Sequence, residues 1–201
     1  MTKDKNLRHA IIVSAFKHFS TQPYHKVSTN LIVEDAGVSK GLLFHYFKDK
    51  KTLYITLYDL AWKTIFKDVF EHLDLKQKCL FIRFRDYILL KSKSLQNHKT
   101  LSLFIKQVHL HQDPEIFKER SMRYLNYQEN AYRKIFDNID TTLFRPDLDL
   151  QDTYKIFIWT LQRVTNEWEK QNAENPVEYA LPVLEKELSH YIQFFEKAFY
   201  L

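Results

Sequence analysis

The chain holds only two glycines and five prolines in 201 residues. Both residue types punctuate turns, so their scarcity excludes turn-rich β architectures and favours long helices. A single cysteine, Cys79, excludes an internal disulfide and suits a reducing cytosol. The longest uncharged stretch near the start runs from His9 to Phe16, far too short for a membrane span and without a small-residue cleavage site. Neither a signal peptide nor a membrane segment is therefore expected, and the protein is placed in the cytoplasm. Two glycines cannot build a glycine-rich phosphate loop, and no nucleophile-elbow motif accompanies the serines, histidines and aspartates. An enzyme is not expected. His109 and His111 stand two apart, about 200° on a helix, and no nearby Cys or second His pair completes a ligand set. No metal and no cofactor are called for. Cys79 precedes Leu80-Phe81-Ile82 and reads as a small core residue.

What is present points elsewhere. Apolar residues make up 45% and aromatics 15%, enough for a sizeable core and a globular chain. The net charge of +5 is unevenly placed. Residues 1–53 hold nine Lys/Arg and four Asp/Glu, so of the totals of 30 and 25 the remainder keeps 21 of each. All the excess positive charge sits in the first quarter, the footprint of a module that neutralises phosphates.

Both glycines, Gly37 and Gly41, also lie there, within Val27 to Tyr54. Ser28 can cap a short helix through Ala36, with Leu31, Ile32 and Ala36 inward. Gly37 can take the left-handed conformation that ends it. Ser39 then caps a second helix, Lys40 to Phe47, with Leu43 and Phe47 inward. Two short helices joined by a glycine turn make either an ordinary helical hairpin or a helix-turn-helix, whose second helix enters the DNA major groove. Composition favours the latter: the outward positions carry Lys40, Gly41, Leu42, His45 and Tyr46. Asp49 reads as the next cap, placing Lys50 in the following first turn, where a lysine beside free N–H groups is a phosphate clamp.

At Ile32, Ala36-Gly37-Val38-Ser39, Gly41, Leu43-Phe44, Tyr46-Phe47, Lys50 and Leu53 the chain resembles the tetracycline-repressor (TetR) family of bacterial transcriptional regulators in order and spacing. The match is specific but covers only the first quarter. Val33 stands where the family has alanine, and Thr29 and Leu31 replace an apolar and an acidic residue, so the capping-box acid is missing. Pro23 replaces the glycine that ends the first helix, which should therefore stop by Thr21. The resemblance implies a three-helix DNA-binding domain, a connecting fourth helix and a ligand cavity among the middle helices. The implied DNA contacts are Ser28, Thr29, Ser39, Lys40, Gly41, Leu42, His45, Tyr46 and Lys50.

The rest reads as helix throughout. Asp4–Thr21 forms the first helix and Asp49–His72 the fourth. Five more are expected at Lys76–Ser94, Lys99–His111, Pro114–Asn138, Leu150–Glu169 and Pro176–Phe199. Asp113-Pro114 and Asn175-Pro176 read as cap-then-proline starts, and Pro182 should bend or split the last helix. The fold class is all-α, with a DNA-binding domain over 1–48 and a helical ligand-binding and dimerisation domain over 49–201. The last two helices carry apolar residues on more than one face, including Phe157, Trp159, Leu188 and Phe195, which points to a homodimer joined by four helices. Phe104, Tyr127 and Trp159, with Arg163 as an anionic anchor, are the candidate lining for a small, predominantly apolar effector. The expected function is a ligand-responsive repressor leaving a palindromic stretch of double-stranded DNA. The alternative is a DNA-binding adaptor whose C-terminal helices bind a partner protein; a helical enzyme ranks last.

Overall fold

The computed structural model describes residues 3–111, 113–171 and 177–201, with side chains throughout except at Lys3 and residues 177–179. The described residues form nine α-helices: α1 (Lys3–Phe19), α2 (Thr29–Ala36), α3 (Lys40–Phe47), α4 (Lys50–His72), α5 (Leu80–Asn97), α6 (Lys99–Leu110), α7 (Pro114–Phe136), α8 (Leu150–Gln171) and α9 (Val177–Phe199). Short 3-10 turns occupy Tyr24–Lys26 and Thr141–Leu143. The all-α expectation holds. None of the described helices is long and apolar enough to cross a membrane.

The chain divides into two compact units, Met1–Phe66 with Asn97–Glu129, and Lys67–Gln96 with Asn130–Leu201. Helices α4 and α7 each contribute residues to both. The first unit is built on α1. Its stripe of Ile11, Ala15 and Phe19 is fully buried, together with Ile32 of α2, Leu43 of α3 and Leu53 and Leu57 of α4. Ser14 reaches across and donates to the Ile32 carbonyl at 2.9 Å, tying α1 to α2. Phe104 of α6 packs into the same core, edge-on to Phe16 at 5.3 Å and against Tyr54 at 5.0 Å. Its core role is settled by those rings, which leave its side chain 0% exposed.

The second unit is centred on Phe81, Phe84 and Phe157, with Phe157 4.7 Å from Phe81 and 5.2 Å from Phe84. Phe195 of α9 closes the cluster edge-on to Phe157 at 5.1 Å. Arg83 is wholly buried there. Its guanidinium donates to the carbonyls of Leu75 at 3.0 Å, Gln77 at 2.7 Å, Ile135 at 2.8 Å and Asp137 at 2.6 Å, and to Asn138 Oδ1 at 3.0 Å. One side chain thus ties the segment before α5 to the last carbonyls of α7, where a cation also meets the negative end of the helix dipole.

That clasp explains one difference from the sequence expectation. The fifth helix begins at Leu80 rather than Lys76, because Leu75 and Gln77 spend their carbonyls on Arg83 and Gln77 Oε1 accepts from the Cys79 N–H at 2.9 Å. A second difference concerns Pro182, around which α9 runs on unsplit. Proline sits only five residues after the start, where it deprives an early carbonyl of its partner and little else. Asp113 caps its helix as expected, accepting from the Glu115 N–H at 3.0 Å, and Asp149 caps α8, accepting from the Asp152 N–H at 2.9 Å. The start expected at Asn175-Pro176 falls outside the described residues. Cys79 is half-buried, its Sγ 3.3 Å from the Tyr200 hydroxyl.

Candidate nucleic-acid interface

The two short helices begin and end as their sequence requires. Ser28 Oγ accepts from the Leu31 N–H at 3.2 Å and Ser39 Oγ from the Leu42 N–H at 3.2 Å. Each hydroxyl keeps its own proton for an external acceptor such as a phosphate oxygen. Gly37 closes α2 at φ 64°, ψ 35°, donating to the carbonyls of Glu34 and Val33. A side chain at that left-handed position would be strained, so glycine is required by conformation. Lys17 of α1 pairs with Asp35 of α2, and that hydrogen bond, first among several causes, holds the Asp35 carboxyl below its ordinary range.

Helix α3 buries Leu43 and Phe47 and turns Lys40, Gly41, Phe44 and His45 to solvent, with Leu42 and Tyr46 half-buried. Gly41 differs from Gly37. Its φ lies outside the left-handed region, and a Cβ built on it would meet only Ser39 Oγ, at 4.0 Å. Nothing among the described residues asks for glycine there. Lys40 Nζ lies 6.0 Å from the centroid of Phe44, and Arg8 of α1 lies 5.0 Å over Phe47.

Two of the expected contacts are placed differently. Lys50 donates inward, to the carbonyls of Tyr24 at 2.9 Å and Val27 at 3.1 Å, with its ammonium 4.3 Å over the Tyr24 ring. Burial pushes its pKa down. Two of its three donors are therefore committed to the turn between α1 and α2. Tyr46 hydrogen-bonds the carboxylate of Asp4 and, at 3.2 Å, the Asp4 carbonyl, so its hydroxyl is tied to the first turn of α1. That bond to Asp4 raises the phenol.

Lys48, two residues before Lys50, is held differently. It joins α3 to α4 at φ 60°, ψ −52°, with the Asp49 N–H bonded to the Phe47 carbonyl at 2.5 Å. This is a positive-φ γ-turn, a strained conformation for any residue with a Cβ. The side chain is exposed beside the end of α3. Helix spacing carries no signal for such a single-residue turn. Phe44, beside the buried Leu43, is 38% exposed.

Residues 11–57 match the profile of the bacterial regulatory proteins of the tetR family. The N-terminal domain belongs to the tetR family. Solved structures match this chain over nearly its whole length. One is a TetR family transcriptional regulator from Chloroflexus aurantiacus J-10-FL, 19% identical, with a TM-score of 0.62 over 98% of this chain and 94% of that one. Another is the fatty acid degradation regulator FadR from Bacillus halodurans, 17% identical, with a TM-score of 0.66 over 90% and 97%. A third is NalD from Pseudomonas aeruginosa, secondary repressor of the MexAB-OprM multidrug efflux pump, 13% identical, at 0.66 over 98% and 96%. At such identities the likeness establishes the fold. No curated protein sequence matches the chain.

The four residues expected to line an effector pocket are divided between the two units. Phe104 and Tyr127 belong to the first unit, Trp159 and Arg163 to the second. Phe104 is packed among core rings, and the Tyr127 hydroxyl lies 3.3 Å from Asp59 Oδ1. Trp159 is 64% exposed on α8, and Arg163 pairs at 2.6 Å with Glu167 one turn along the same exposed face.

Proposed function

We propose that this tetR-family protein is a ligand-responsive homodimeric repressor that binds a palindromic site on double-stranded DNA. The observation that carries the DNA-binding part is the exposed face of α3, where Gly41 has no intramolecular reason to be glycine. Recognition on this reading uses Lys40, Gly41, Leu42, Phe44 and His45 toward the groove. Ser28, Thr29, Ser39 and Lys48 take phosphates, each neutralised phosphate adding about one unit to the salt slope. Phe44 and Leu42 offer no hydrogen bond and suit thymine methyl groups. Tyr46 and Lys50 hold the domain's own segments in place, with one Lys50 donor left for DNA.

Dimerisation is supported by apolar residues left outward on α8 and α9. Phe157, Leu161, Leu184 and Leu188 are buried between elements of their own unit, whereas Ile156, Trp159, Val183 and Phe194 remain 48–64% exposed. On α9 the positions of Val183, His190 and Phe194 fall on one helical stripe. A second copy covering this stripe and the Ile156–Trp159 face of α8 would form a four-helix interface. The repressor role is taken by analogy of fold with NalD. Release on this reading passes through α4, which runs unbroken from Lys50 to His72 and so carries a displacement as a tilt. Tilts in a dimer change the spacing of two recognition helices, which must match one DNA turn of roughly 34–36 Å.

The test selects duplexes from a random library with the full-length protein. A palindromic consensus bound by a dimer in sedimentation, with Phe194→Asp giving monomers that lose the DNA, is the expected result. Binding without base preference, or a wild-type monomer at micromolar concentration, would refute it.

A further inference from the structure

A buried cation is costly unless charges or hydrogen bonds surround it. The described residues contain two buried arginines, and they contrast. Arg83 has carbonyl acceptors around its guanidinium. Arg120, on α7 in the first unit, is 5% exposed. It forms no ion pair with a described carboxylate, and its Nε is sealed from solvent without a hydrogen-bond partner. The ring of Phe117 lies 4.9 Å from its guanidinium carbon. The polar group it faces is the phenol of Tyr58 on α4, a side chain with 0% exposure whose hydroxyl also lacks a hydrogen bond of good geometry. Burial pushes that phenol up to about 12, against the opposing pull of donors from Trp62 and Arg120. A phenol oxygen can accept from a guanidinium, yet it brings no charge to balance one.

Around this pair stands a closed circuit of four rings. Tyr58 is 6.3 Å from Trp62, Trp62 5.1 Å from Tyr124, Tyr124 5.7 Å from His109 and His109 6.4 Å from Tyr58. His109 is exposed and Tyr124 half-buried, so the cluster reaches solvent. Tyr54, also buried, adds its phenol to the neighbourhood of Arg120.

We propose that Arg120 and the Tyr58 hydroxyl form the anion-recognising end of a site for a small organic carboxylate, whose apolar body packs on the Trp62–His109–Tyr124 rings. A planar guanidinium matches a carboxylate in a two-bond fork. A phosphate dianion would call for a second cation, and the rings call for an apolar body rather than a free ion. The proposal names the effector class for the ligand-responsive reading above and rests on it. It also moves the anionic anchor from Arg163 to Arg120.

The probe is 4-phenylbutyrate, with 4-phenylbutanol as its uncharged counterpart and inorganic phosphate as a free anion, followed by thermal unfolding of the full chain. At about 100-fold excess over Kd the carboxylate should raise the midpoint by roughly 5–10 °C, while the alcohol and phosphate leave it nearly unchanged. Arg120→Met, similar in bulk but neutral, should raise the midpoint of the ligand-free protein and abolish the carboxylate response. Tyr58→Phe should keep the fold and weaken the carboxylate about tenfold. A lowered midpoint or loss of folding in Arg120→Met would show that the arginine is satisfied within the chain and overturn the site. An undiminished carboxylate response in Tyr58→Phe would overturn it equally. Carboxylate binding that leaves the affinity for selected DNA unchanged would uphold the site and sink the effector reading instead. A wild-type protein that binds the selected DNA but gives no carboxylate response would sink the site alone.

Discussion

Replacing Gly41 by alanine should move stability and DNA binding in opposite directions. Gly41 is the second residue of α3, in helical rather than left-handed backbone, and its new Cβ would meet nothing closer than Ser39 Oγ at 4.0 Å. Alanine is favoured over glycine in a helix by about 0.5–1 kcal/mol, through the entropy of the unfolded chain. No clash offsets that gain. For a chain of this length the midpoint should rise by roughly 1–4 °C. On the proposed reading the same methyl group projects from the face that approaches the duplex, where a backbone fitted to glycine must retreat. A loss of about tenfold or more in affinity, some 1.4 kcal/mol, is expected for the selected duplex. Thermal unfolding and fluorescence anisotropy on one preparation read both effects. A variant that binds as tightly as the wild type would remove the argument that an external surface dictates this glycine. A falling midpoint would mean that the position is constrained from within.

Lys48→Gly should relieve the γ-turn, stabilising the fold by about 1 kcal/mol, while lowering the salt slope of DNA binding by about one unit; an unchanged slope would clear Lys48 of phosphate contact. Lys50→Ala should behave in reverse, costing about 1–2 kcal/mol of stability through the lost carbonyl bonds and moving the salt slope by less than a unit, as salt titrations would show. Arg83→Met should cost about 3–5 kcal/mol, because four carbonyls and an amide lose a charged donor, and chemical denaturation that detects less than about 1 kcal/mol would rule out the clasp. The Asp35–Lys17 pair contributes stability above the ordinary carboxylate pKa of 3.8 that is lost as pH falls through the depressed folded value; Lys17→Ala should flatten the acid limb of stability in that window, and an identical limb would count against it.

Much of the N-terminal domain was legible because its signals are local. Ser28, Gly37, Ser39 and Asp49 act on N–H groups and dihedrals within four residues of themselves, so caps, turn and both short helices could be read in order. Helix periodicity carried the rest of the all-α architecture for the same reason. Side-chain partners across the fold were another matter. Whether Lys50 reaches a phosphate or the carbonyls of Tyr24 and Val27 depends on where the α1–α2 turn comes to rest, 23 to 26 residues away in sequence. The start of α5 shifted because Leu75 and Gln77 give their carbonyls to Arg83, which also draws on those of Ile135 and Asp137, more than fifty positions distant. Arg120 and Arg163 look alike in the sequence, each a basic residue in a helix with aromatic neighbours. A charged residue in register with Ile116, Tyr124 and Tyr127 was the available signal for Arg120, since the 3.6-residue period places it on their inward face. Only packing decided that Arg120 lies sealed against Tyr58 while Arg163 stands in solvent beside Glu167. Burial sums over every element that surrounds a residue, whereas a helical period reports on one element alone.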